Sequence, residues 1–184
     1  MASRSPAGGV DAFVRAVRWI STILGYFAAG LIGLGVLVVC HMVFVRYALN
    51  QNTIWQTDFV TYSLVAATFI GSPYVLMTRG HVNVDVLPHY AGPRLRYALA
   101  LFGSGITLAF AVTLAILTFL FWKEAWDNKW VSDTMWRARL WIPYLSMPVG
   151  LTALSLEALA GLLALATHRE APFGMDAERA ELME

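Results

Sequence analysis

Four stretches of this chain carry almost no charge, and each is long enough to cross a lipid bilayer. Residues 20–45, 59–78 and 97–122 contain no Asp, Glu, Lys or Arg, and residues 140–167 contain only Glu157. A hydrocarbon core of about 30 Å is crossed by roughly 20 helical residues. Lipid leaves the backbone no outside hydrogen-bond partner, so only helices or closed barrels span it. The stretches are continuously apolar rather than alternating with a period of two, which excludes a barrel. The chain is therefore expected to be an all-α membrane protein with four transmembrane helices. Composition points the same way. Of 184 residues, 58% are apolar and 14% charged, against roughly 45–50% and about 25% in soluble domains. A net charge of +1 offers no basic face for nucleic acid. A single cysteine, Cys40, cannot form an intrachain disulfide or build a thiolate metal cluster.

Charge at the ends of the stretches predicts the topology. The first stretch is much longer than the roughly 7–15 apolar residues of a cleaved signal and has no small-residue cleavage site after it. It reads as an uncleaved signal anchor. Four spans put both termini on one side. That side holds Arg4, Arg15, Arg18, Arg79, Arg94, Arg96, Arg169 and Arg179, and the other holds Arg46, Lys123, Lys129, Arg137 and Arg139. The excess of basic residues places both termini in the cytoplasm. Val10, Phe13, Val14 and Val17 share one helical face, with Arg15 and Arg18 off it, as in a short helix lying on the inner leaflet. The expected organisation is a cytoplasmic start with that interfacial helix (1–19), a four-helix membrane domain (20–167) and a cytoplasmic tail (168–184).

Few residues inside the spans carry chemistry. Ionisable groups there are costly and functional by default. Glu157 needs a partner, and His41, Thr107, Thr113 and Thr118 are candidates. His41 is the one histidine within a span. A haem held between two histidines would need a second one at similar depth. Hydrolase, Walker, zinc-protease and paired-cysteine motifs are absent, so no catalytic, metal, cofactor or substrate site is assigned. Trp122, Trp126 and Trp130 recur every four residues and would stack along one face if the third helix continued outward. They read either as an interfacial anchor or as a docking surface. Arg46 ends the first span and Asp58 opens the second, close after Trp55. These charges complement the helix dipoles and staple a hairpin, or meet a partner. Arg79, His81 and Asp85 lie in an inner connection where His81, Asn83 and Asp85 alternate with valines; a well-formed loop and a partner contact are both open. Gly25, Ala29 and Gly33 recur every four residues and predict a tight helix–helix face, and Gly103 and Thr107 do so less cleanly.

These segments resemble the small membrane subunit of tripartite ATP-independent periplasmic (TRAP) transporters. Arg46-Tyr47-x-x-Asn50 closes the first helix. Trp55-x-x-Asp58 opens the second, which continues through Tyr62 to Phe69-Ile70-Gly71. His81-Val82-x-Val84-Asp85 follows, and Ile142-Pro143-Tyr144 with Met147-Pro148-Val149-Gly150 opens the fourth. Asp58 stands where the family usually has Glu, which keeps the charge on a shorter arm. The resemblance covers about residues 10–168. It implies a subunit of the bacterial inner membrane that braces a large elevator-type subunit. The large subunit would carry the sodium and substrate sites, and a periplasmic binding protein would deliver an organic acid. The implied partners are thus the large TRAP membrane subunit, the binding protein and lipid. Two rival readings are a haem- or quinone-linked anchor of a respiratory complex and the small subunit of another tripartite carboxylate transporter.

Overall fold

The structure is a computed structural model and describes residues 9–78 and 93–167. Its helices are α1 (Gly9–Ala48), α2 (Gln56–Met77), α3 (Pro93–Asp127), the single turn α4 (Trp141–Tyr144) and α5 (Ser146–Ala166). Helices α4 and α5 meet at Leu145 and form one span, so the described residues contain four segments long and apolar enough to cross a membrane. The all-α, four-span expectation therefore holds. The β pairing among these residues is one antiparallel bridge, Val131 to Arg139, in the α3–α4 connection.

Local chemistry explains where the helices begin and end. The amphipathic start and the first span, expected as two segments, form one continuous helix of 40 residues, about 60 Å at 1.5 Å per residue. No Gly or Pro interrupts residues 10–24, so nothing breaks the helix there. Helix α1 stops before Asn50, whose φ of 53° is left-handed, a conformation Asn tolerates better than most residues. Helix α3 stops before Lys129, with φ of 51°. The α4–α5 break follows from Pro148, which has no N–H to give the carbonyl of Tyr144.

Helices α1, α2 and α5 pack on one another as a three-helix wedge, and α3 rests chiefly on α5. The wedge is tightest at one crossing. Pro73 is fully buried within α2 and cannot supply an N–H to the carbonyl of Phe69. Ser72 Oγ donates to that carbonyl instead at 2.8 Å, the usual rescue of a proline in a membrane helix. Gly150 of α5 lies against the same place, where an added Cβ would sit 2.2 Å from the Phe69 carbonyl oxygen. On the other side of α2, a Cβ on Gly71 would sit 3.2 Å from the Ala28 Cβ of α1. Helix α3 meets α5 along a row of mostly small residues. Tyr97, Ser104, Ala111, Thr118 and Ala125, spaced by seven, are buried or half-buried, and a seven-residue spacing keeps one side of a helix turned to its neighbour.

Candidate functional site

The α1–α2 turn gathers one group of singled-out residues. Trp55 precedes α2, with its ring 6.4 Å from that of His41 on α1 and 6.0 Å, edge-on, from Phe59 on α2. An aromatic stack therefore closes this hairpin. Arg46 is exposed in the last turn of α1. Asp58, in the first turn of α2, receives a hydrogen bond from Thr134 Oγ1 of the α3–α4 connection. No ion pair joins Arg46 to Asp58 among the described residues. Asp58 ties the second span to the loop before the fourth rather than to its own hairpin.

The tryptophans divide. Trp122 and Trp126 share a face of α3, with ring centroids 5.8 Å apart. Trp122 Nε1 donates to the Trp141 carbonyl at 3.0 Å, and Trp126 packs edge-on against Trp141 at 4.6 Å. Trp130 leaves this row because α3 has already ended at Asp127. The left-handed Lys129 turns the chain, and the Trp130 ring packs on Phe121 at 5.6 Å. The expected three-ring stack is a two-ring stack capped by Trp141. Trp141 adds to this cluster a ring that the four-residue spacing does not reach.

Glu157 is buried and accepts a hydrogen bond from Ser21 Oγ of α1 at 2.7 Å. The threonines considered as its partners turn back on their own helix. Thr107, Thr113 and Thr118 donate to Gly103, Ala109 and Leu114 at 3.0, 2.8 and 2.8 Å. His41 lies 20 residues along α1 from Ser21, about 30 Å away. Ser21 shares its face of α1 with Val17 and Ala28, each buried, and no spacing in the sequence marks it as the partner of Glu157.

The Gly25–Ala29–Gly33 row is not one contact face. A Cβ on Gly25 would sit 2.5 Å from the Tyr74 ring of α2, whereas one on Gly33 would meet nothing within 4 Å. Ala29 is exposed. A four-residue step advances 400° around a helix, so a row eight residues long drifts by about 80° and leaves the bundle. Gly103 and Thr107 are likewise exposed. Arg79, His81 and Asp85 lie outside the described residues.

Two of the segments that carried the resemblance thus meet in space, Phe69-Ile70-Gly71 of α2 against Gly150 of α5. The comparison with known families agrees. The profile of the tripartite ATP-independent periplasmic transporters, DctQ component, matches residues 35–168. The chain belongs to this family. It is a small subunit of a TRAP transporter, a multi-pass protein of the inner membrane, and not an enzyme. The chain is 25% identical over 201 residues to the C4-dicarboxylate TRAP transporter small permease protein DctQ of Vibrio cholerae serotype O1 (strain ATCC 39315 / El Tor Inaba N16961), covering 94% of this chain and 87% of that protein. No solved structure matches it.

Proposed function

We propose that this TRAP small subunit is the static brace of a sodium-coupled importer of an organic acid, with both termini and residues 168–184 in the cytoplasm. Its stable partner is the large membrane subunit, and a periplasmic binding protein docks transiently. A C4-dicarboxylate is the leading substrate, because the Vibrio cholerae relative is named for one. The observation that carries the reading is the large apolar face left uncovered on α1, where Tyr26, Phe27, Leu37 and Phe44 are each more than half exposed.

Four helices fixed to a static scaffold widen it and resist tilting while cargo moves. In lipid that attachment draws on close packing and a few polar contacts, and the exposed Ala29 and Gly33 on α1 let a neighbouring helix come near. The 79–85 segment is a further candidate contact, from Arg79, His81 and Asp85. The one buried carboxylate among the described residues, Glu157, accepts a hydrogen bond from Ser21, as suits a brace rather than an ion path. The test is succinate uptake by vesicles carrying the large subunit and binding protein, with and without this chain, under a sodium gradient. Uptake should require both the chain and the gradient. Full uptake without the chain rejects the brace, and uptake indifferent to sodium rejects the coupling. Failure of fumarate and malate to compete rejects the substrate class.

A further inference from the structure

The α3–α4 connection forms a half-open cavity of about 380 Å³, lined by Trp126, Lys129, Trp130, Val131, Arg139 and Trp141. Its frame is hydrogen-bonded. Trp130 N–H donates to the Ala125 carbonyl at 3.1 Å, Leu140 N–H to the Trp130 carbonyl at 3.0 Å, and Ser132 N–H to the Ala138 carbonyl at 2.8 Å. The walls are three indoles and a valine, with two cations among them. No carboxylate lines the cavity, and among the described residues neither Lys129 nor Arg139 has an ion-pair partner. Glu124 and Asp127 stand on the last turns of α3 but outside the lining.

Position and size narrow the ligand. The cavity sits where α3 ends and α4 begins, at the membrane boundary away from the termini, and tryptophan favours the headgroup layer. About two turns back along α3 from Trp126, Leu117, Phe119 and Leu120 are each about half exposed. Ligand cavities range over roughly 300–1,000 Å³. This one is at the small end, enough for a headgroup and glycerol. An acidic protein surface would reach the two cations and leave the indole walls empty. An anionic lipid matches both.

We infer that this cavity holds an anionic phospholipid of the adjacent leaflet. The headgroup phosphate lies between Lys129 and Arg139, the glycerol backbone against Trp126 and Trp141, and the acyl chains along the exposed face of α3. The site ties the α3–α4 connection to the membrane surface, independently of what the transporter carries.

The test uses the full chain within its membrane complex, purified in detergent and stripped of lipid. Equal amounts of phosphatidylglycerol and phosphatidylcholine are added, and bound lipid is counted by native mass spectrometry. The unaltered complex should prefer phosphatidylglycerol. Each surface cation is worth about fivefold towards an anionic lipid, so K129Q/R139Q should lose on the order of tenfold or more of that preference. K129R/R139K should keep it, and elution as one species on size exclusion checks that both variants are folded. Equal binding of the two lipids overturns the proposal, as does an undiminished preference in K129Q/R139Q. Displacement by millimolar glycerol phosphate would make this a site for a free anion and overturn it as well. Weakened binding-protein docking in K129Q/R139Q with lipid preference intact would assign the cavity to a protein partner instead.

Discussion

The three-helix wedge and the outlying helix α3 solve one problem in two ways. In lipid there is no hydrophobic gain in pressing apolar helices together, so association needs close packing or polar ties. The wedge uses closeness. Gly150 brings α5 onto the backbone of α2 at Phe69, and Glu157 with Ser21 adds a buried hydrogen bond to α1. Helix α3 follows a row of small residues along α5 and is fastened near its ends. Trp122 Nε1 donates to the Trp141 carbonyl at one end, and the Tyr97 hydroxyl to the Leu165 carbonyl at the other. Because α3 rests chiefly on α5 alone, whereas each wedge helix packs on two others, the wedge is expected to be the rigid part and α3 the part whose position responds to a neighbour.

The largest expected effect tests that difference directly. In Gly150→Ala the new Cβ would meet a backbone carbonyl, which cannot rotate away as a side chain can. Overpacking typically costs about 1–3 kcal/mol, and this substitution should fall at about 3 kcal/mol. Ala111→Leu enlarges a fully buried residue of α3 by more atoms, yet should cost only about 1 kcal/mol, because α3 can shift between its fastenings. Thermal unfolding of the two purified variants compares them. Equal losses would mean that α3 is as rigidly held as the wedge.

Next in size is a pair on α1. Gly25→Leu drives into Tyr74 and should destabilise the chain by about 2 kcal/mol. Gly33→Leu meets open space and should leave the melting temperature of the isolated chain unchanged while reducing co-purification with the large subunit. Intact co-purification in Gly33→Leu would remove that face from the proposed interface.

The pair also marks what was legible in the sequence. Span number and helical character followed from the charge-free stretches, because lipid allows so few alternatives. The direction of each small residue did not. A four-residue glycine row reads as a single face, and the drift of an α-helix turns Gly33 away from the side that holds Gly25. The seven-residue row Tyr97, Ser104, Ala111, Thr118, Ala125 was readable on the same grounds and marks the true α3–α5 contact. Ser72-Pro73 was a second readable signal, since a proline in a span needs a nearby hydroxyl for the carbonyl it orphans. The tie from Asp58 to Thr134 and that from Glu157 to Ser21 were not legible. Each joins residues far apart in the chain, and no local spacing encodes which helices become neighbours.

Glu157 tests the polar half of the wedge. Polar contacts between membrane helices average about 0.6 kcal/mol and reach about 1.7 kcal/mol, and Glu157→Ala should lose about 1–2 kcal/mol because Ser21 is left buried without its acceptor. Glu157→Gln keeps an acceptor and should lose less. Sodium-driven uptake at a temperature where both variants are folded separates stability from transport. A Glu157→Gln variant that is stable but inactive would make the carboxylate part of the transport path, not of the brace.

The smallest effects bear on how α3 is fastened. Trp122→Phe removes the indole N–H and leaves a ring to face Trp126. The lost bond is 3.0 Å long and part-buried, so the cost should be near 1 kcal/mol. Tyr97→Phe removes a longer bond of 3.3 Å, and the cost should be about half as large. Hydrogen exchange of α3 amides distinguishes the two variants better than melting does. Each substitution should raise exchange at its own end of the helix and leave the opposite end and the wedge protected. Loosening of the whole of α3 by either change would show that the helix behaves as a single hinged unit. The small-residue row would then be a surface along which α3 slides, and its position against α5 would be set by the end ties alone.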